Sequence, residues 1–213
     1  EGVNVVTYSL HNSSADVHCK TLSLSSSGIN ATVVTPWGDI EIVCSLLGMF
    51  NVSNVLAVIS ALGCNDYRLS DIALGLSKLK TVEGRMDLIA LGNGVDVIID
   101  YAHTPDALEK ALSGLRSHCR GAVWCVMGCG GDRDKGKRSQ MGAVAARLAN
   151  RTVVTSDNPR SEDPLKIIRD VLQGVSDGQV ESGKVSALTD RGEAIAYALS
   201  NAKPGDMVLI AGK

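Results

Sequence analysis

At 213 residues the chain is one large domain or two small ones, on about 100–200 residues per domain. Hydrophobic residues make up 45% and charged residues 21%, which excludes a disordered or fibrous protein. A net charge of −2 and only seven aromatic residues argue against nucleic-acid or anionic-membrane binding. No apolar run reaches the roughly 18 residues of a membrane span. Residues 1–20 lack a basic start followed by an apolar stretch, so no secretory leader is indicated. Six cysteines, without a CxxC pair, read as reduced thiols in a cytoplasmic protein rather than as a zinc site. Glu1 is not a Met, and the chain stops at Gly212-Lys213 just after an apolar stretch; both features suggest a piece of a longer protein.

The first 45 residues alternate and turn. Strands are expected over 3–10, 29–35 and 40–43, the last two joined as a hairpin by Pro36-Trp37-Gly38-Asp39. Ser25-Ser26-Ser27-Gly28 reads as another turn. From residue 50 the period becomes helical, with Val52, Val55, Leu56, Ile59 and Leu62 on one face. A second helix is expected over 70–79, with Ser70 as its N-cap. Residues 80–84 form a polar connector and the expected boundary.

Beyond residue 85, strands and helices alternate. Residues 88–91 and 95–100 flank Gly92-Asn93-Gly94 as a hairpin. Helices are expected from Thr104-Pro105, over 138–149, from Asp163-Pro164 and over 191–202, with strands over 122–127, 152–156, 185–188 and 207–211. Five apolar strands joined by four helices predict an α/β fold with a mainly parallel sheet covered on both faces. Sites in such sheets lie at the carboxyl ends of the strands. The candidate loops are therefore 100–104, 128–137, 156–163, 189–191 and 212 onward.

The segment Gly128-Cys129-Gly130-Gly131-Asp132-Arg133-Asp134-Lys135-Gly136-Lys137-Arg138 nearly spells a phosphate-binding loop. Arg138, however, stands where a hydroxyl should reach Mg²⁺, and two aspartates sit inside the loop. Its glycines still free backbone N–H groups for a ligand, and its mixed charges suit a zwitterion such as an amino acid. In Ser156-Asp157-Asn158-Pro159-Arg160, Arg160 is suited to a carboxylate, Asp157 to an ammonium group, Asn158 to either, and Pro159 fixes the loop. Asp100 could hold a ribose hydroxyl, and His103 could stack on a base or donate to a phosphate. Asn51 and Asn54 share one face of a helix start, and Arg85 stands at the boundary. Taken singly, each of these is equally a cap, a turn or a surface charge.

Six segments in order carry a resemblance: LLGMFNVSN (46–54), GRMD (84–87), DYAHTPDALEKAL (100–112), GCGGDRDKGKR (128–138), SDNPRSEDP (156–164) and KPGDMVLIAGK (203–213). Together they span most of the chain, which resembles the Mur ligases of peptidoglycan synthesis. The resemblance implies that residues 1–83 are the β-rich and helical end of the family's central ATPase domain. Residues 84–213 would be its C-terminal Rossmann-like, amino-acid-binding domain without the last segment. It implies ATP-dependent addition of meso-diaminopimelate to UDP-MurNAc-L-Ala-D-Glu through an acyl phosphate, assisted by Mg²⁺ held mostly outside this chain. Asn54, Arg85, Asp100 and His103 would contact ATP, with Arg85 reaching its phosphates as the catalytic group. Arg133, Asp157, Asn158, Pro159, Arg160 and Gly212 would bind diaminopimelate. Small-molecule substrates, a monomer, and no nucleic-acid or membrane partner are implied. The family's GxxGK[ST] loop, its carbamylated lysine and its UDP-substrate domain have no counterpart here, so the chain alone is expected to lack ligase activity. The alternatives are a lysine-adding or other Mur ligase, and a non-catalytic module that only holds an amino acid or nucleotide. GCGGDRDKGKR and DNPR argue against a folylpolyglutamate synthetase, and the absence of GxGxxG after the first parallel strand argues against a dehydrogenase.

Overall fold

The computed structural model divides into two compact units, Glu1–Thr81 and Val82–Lys213, and residues 5–212 are described. In the first unit, strands β1 (Tyr8–Ser9), β2 (Val17–Ser25), β3 (Gly28–Val34) and β4 (Ile40–Cys44) form one sheet in that order. Helices α1 (Met49–Gly63) and α2 (Leu69–Ser77) complete the unit. The sheet is antiparallel except for β1, which runs parallel to β2. Alternation explains the core. Ile29, Ala31 and Val33 on β3 and Ile40, Ile42 and Cys44 on β4 pack with Val52, Val55, Leu56 and Ile59 of α1.

The turn joining β3 to β4 is fixed by Thr35, whose hydroxyl accepts from Trp37 N at 3.1 Å and donates to Gly38 O at 2.6 Å. Three expectations change here. The strand expected over 3–10 is only β1, and its residues 3 and 4 lie outside the described ones. Strand β2 was not expected. Finally, α2 begins one residue before Ser70: Arg68 flanks it in extended conformation and pairs with Asp71 at 3.0 Å, so Ser70 is not the cap.

The second unit holds a six-stranded sheet in the order β5 (Asp87–Ala90), β6 (Asp96–Asp100), β10 (Met207–Ala211), β7 (Val123–Met127), β8 (Arg151–Val154), β9 (Val185–Ala187). All pairs are parallel except β5 with β6, the expected hairpin. Helix α3 (Pro105–Arg116) connects β6 to β7, α4 (Gly136–Leu148) connects β7 to β8, and α5 (Pro164–Leu172) and the short α6 (Asp177–Glu181) precede β9. Helix α7 (Arg191–Asn201) leads back to β10.

The first three crossovers run one way along the sheet and the last runs back. Right-handed connections therefore put α7 on the face opposite α3, α4 and α5. There Ala194 and Ala198 pack on Trp124, Val126, Val153 and Val208. Strand β7, covered on both faces, is buried throughout. Two helix starts are written in the sequence: Thr104 accepts from Ala107 N and Asp163 from Leu165 N, each followed by Pro at the first helical position. All six cysteines are unpaired, and no helix among the described residues is long and apolar enough to cross a membrane.

Candidate functional site

Because α4 leaves β7 on one face and α7 enters β10 from the other, a crevice opens at the ends of these neighbouring strands. A cleft of about 550 Å³ occupies it, and its walls include Arg133, Lys137, Asp157, Asn158, Arg160 and Gly212. Tyr101, His103 and Thr104, from the loop after β6, close one side. Residues more than a hundred positions apart thus meet at one place.

Two glycines let the loops approach. A Cβ on Gly131 would overlap the Pro159 carbonyl, and one on Gly128 would come within 2.6 Å of Thr155 O and 2.8 Å of the Asp157 Cβ. Loops 128–135 and 155–163 are then laced together. Gly131 N donates to Asn158 O at 3.1 Å, and Arg160 Nη1 donates to Gly131 O at 2.6 Å. Ser161 donates from N and Oγ to Asp132, at 3.2 and 2.7 Å, and Asp132 N donates to Glu162 Oε1 at 2.7 Å. Asp132, Asn158 and Arg160 all hold positive φ (50°, 43° and 51°), a strained state for side-chain-bearing residues that this lacing sustains.

The lace is anchored from below by Arg138, whose side chain is 0% exposed. Its Nη1 and Nη2 donate to Glu162 at 3.0 and 2.7 Å, Nη1 also reaches Asp170 at 2.9 Å, and Nη2 reaches Gly130 O at 3.3 Å. The bonds from Arg138, followed by that from Asp132 N, hold the Glu162 carboxyl down to about 2, from the usual 4.5. A depressed carboxyl stabilises the fold fully above its unfolded value. That contribution fades as pH falls from 4.5 towards 2. Glu162→Gln is therefore expected to flatten the loss of thermal stability between about pH 5 and pH 3, measured by melts across that range. An unaltered acid slope would show that Glu162 does not carry it.

Arg133 is exposed and makes no hydrogen bond to the described residues. Asp157 accepts from Asn158 Nδ2 at 3.1 Å through Oδ1. Arg160 spends one nitrogen on Gly131 and keeps the rest of its fork for a ligand. The cleft thus offers guanidinium and ammonium groups for carboxylates, and Asp157 for an ammonium. Cys129, in the same loop, is not a nucleophile. Burial pushes its thiol up to about 11, and its Sγ lies 3.7 Å from Met141 Sδ.

The remaining candidates divide. His103 directs Nδ1 to Tyr101 O at 2.9 Å, which leaves Nε2 for a ligand, and its carbonyl accepts from Lys137 Nζ at 2.8 Å. Arg85 lies over the Tyr101 ring at 4.7 Å, and that ring meets His103 edge-on at 5.0 Å. Asp100 accepts from Met86 N at 2.9 Å and Ala102 N at 2.8 Å, so both its oxygens already hold backbone. Asn54 belongs to the first unit, on α1, and donates to Asn51 Oδ1 at 3.1 Å. Sequence reasoning missed Tyr101, Lys137, Arg138 and Glu162 as parts of the site. All four stand inside the quoted segments, but read locally Arg138 is only a departure from a phosphate loop.

Residues 84–213 match the Mur ligase, glutamate ligase domain, and residues 1–62 match the Mur ligase middle domain. The chain belongs to the Mur ligase family. It is 46% identical over 209 residues to the UDP-N-acetylmuramoyl-L-alanyl-D-glutamate–2,6-diaminopimelate ligase of Pseudomonas aeruginosa, covering 98% of this chain and 42% of that protein. With the ligase of the same name from Coxiella burnetii the identity is 48% over 188 residues, 88% of this chain and 38% of the other. A solved structure of a ligase of that name superposes with a TM-score of 0.76 at 39% identity, over 98% of this chain and 42% of its own. The chain therefore spans less than half the length of these relatives.

Proposed function

We propose that this chain supplies the amino-acid pocket of an ATP-dependent ligase that adds meso-diaminopimelate to UDP-MurNAc-L-Ala-D-Glu in peptidoglycan synthesis. The observation that carries the reading is the meeting of Arg133, Asp157, Asn158, Arg160 and Gly212 around one cleft. That set suits a molecule with an amino-carboxylate at its end: Arg160 for the carboxylate, Asp157 for the ammonium, and Arg133 for a second acid group. Pro159 shapes the loop. The names of the two relatives point to the same substrate.

In this reading the terminal carboxylate of the UDP-dipeptide takes the γ-phosphoryl group of ATP, and ADP leaves. The amine at the other end of the bound amino acid, away from Asp157, then attacks the acyl carbon as a free amine, loses a proton to solvent as the peptide bond forms, and phosphate departs. Positioning and charge stabilisation supply the rate, as is usual for phosphoryl transfer. Arg85 is assigned to the ATP phosphates, and His103, through its free Nε2, to a place beside the nucleotide. Asp100 is assigned to the ribose with the lone pairs its backbone bonds leave, and Asn54 to the nucleotide. Among the described residues no three or more His, Cys, Asp or Glu side chains gather as a metal cage, so an assisting Mg²⁺ would be held mostly by the ATP phosphates and by residues elsewhere in the full-length polypeptide. The enzyme is proposed to work as a cytoplasmic monomer on small molecules, without nucleic acid.

The test is ADP and tripeptide formation by the full-length polypeptide carrying this sequence. Expected is a kcat/KM for meso-diaminopimelate at least about a hundredfold above that for L-lysine, because lysine leaves Arg160 facing no carboxylate. Equal use of lysine would replace the reading with that of a lysine-adding sister enzyme. Binding of the amino acid with no ADP formed would make it a holding module.

A further inference from the structure

The loop between β9 and α7, Leu188-Thr189-Asp190, lies at the site end of the sheet but places no side chain in the cleft. Its contacts run underneath. Thr189 O accepts from Thr155 Oγ1 at 3.3 Å and Ser156 N at 3.2 Å, which fixes the end of β8 directly before Asp157. Two residues on, Arg191 Nη2 donates to Ala211 O at 3.0 Å, the last carbonyl of β10 directly before Gly212. On that side β10 pairs with β7 only as far as Ile210 opposite Val126, so Arg191 takes over where the ladder stops.

This loop and the first residue of α7 therefore tie together the two strand ends that carry Asp157 and Gly212. These residues sit close: a Cβ on Gly212, whose φ is 81°, would stand 3.3 Å from Asp157 Oδ2. Packing does not explain a guanidinium here. Arg191 Nη1 is buried with no acceptor among the described residues, a cost that a methionine of similar reach would not carry. What the arginine supplies and a methionine would not is the donor to Ala211.

We propose that Arg191 is a positioning residue of the amino-acid site: by holding the last peptide of β10 it sets the approach of Gly212 to Asp157. The inference rests on the reading of the cleft as the amino-acid pocket. In the full-length polypeptide, Arg191→Met is expected to raise the KM for meso-diaminopimelate about tenfold. The KM for ATP should stay within about twofold of the parent. Arg191→Lys, which keeps one donor for Ala211, should recover most of the difference. A purely structural role would lower the melting temperature and the active fraction while leaving the amino-acid KM unchanged, and that result overturns the proposal. If Arg191→Met does not fold, Arg191→Lys and Arg191→Gln carry the same comparison. A parent enzyme that accepts L-lysine instead would retire the diaminopimelate reading alone. The KM comparison would then be made with lysine and would judge Arg191 separately.

Discussion

Arg160→Ala is expected to raise the KM for meso-diaminopimelate about a hundredfold, while the KM for ATP changes little. The size follows from a charge-assisted contact to a carboxylate, worth about 2–3 kcal/mol when its partner cannot turn to water. Arg160 also holds the opposite wall of the cleft, since its Nη1 bonds Gly131 O at 2.6 Å and its backbone sits at a positive φ of 51°. Arg160→Lys separates the two duties. One ammonium can serve the Gly131 carbonyl or the substrate carboxylate, but it lacks the planar fork that serves both. The lysine variant should therefore fall between parent and alanine. Selectivity is the sharper readout: without Arg160, preference for diaminopimelate over L-lysine should shrink towards unity. A variant that keeps its full preference would place the distal carboxylate elsewhere, and the assignment of this loop would fail.

What the sequence revealed and what it hid have separate causes. The starts of α3 and α5 were legible because Thr104-Pro105 and Asp163-Pro164 each put a capping oxygen and a preset φ side by side, both local properties. The parallel sheet followed from the alternation of apolar strands and helices, and the site loops followed from the sheet. Strand β2 was hidden because only Val17 is fully buried along it and a register shift between Cys19 and Thr21 breaks its period. Helix α6 buries no residue and rests on the capping box of Ser176 and Gln179, so it carries no apolar stripe to read. In the site, the ligand-facing groups were legible one by one as residue types, and the lace beneath them was not. Arg138 and Glu162 stand 24 positions apart, Arg160 and Gly131 stand 29, and Arg191 and Ala211 stand 20. Each of these pairs exists only once the strands have been ordered, so no local pattern announces it.

The buried arginine should give the largest loss of stability. Arg138→Met removes the cation shared by Glu162 and Asp170 and leaves two carboxylates facing each other, with Lys135 3.7 Å from Glu162 as the remaining counter-charge. Breaking such a pair on one side is expected to cost roughly 3 kcal/mol. For a unit of this size that lowers the melting temperature by about 10 °C. The same change should loosen loop 155–163 and raise the amino-acid KM about tenfold. Adding Glu162→Gln to Arg138→Met tests which property matters. If Arg138 acts only by balancing charge, the double variant should recover both stability and KM, because removing one carboxylate relieves the repulsion. If it acts by holding the loop, stability should return in part while KM stays high, since no group then fastens Glu162 beneath Asp132. The bidentate geometry, with Nη1 and Nη2 each on one Glu162 oxygen, favours the second outcome. Charge balance alone would be met by a lysine, whereas a two-point grip fixes the carboxylate plane and, through Asp132 N, the wall of the cleft. Arg138→Lys should accordingly retain most of the thermal stability and little of the amino-acid affinity.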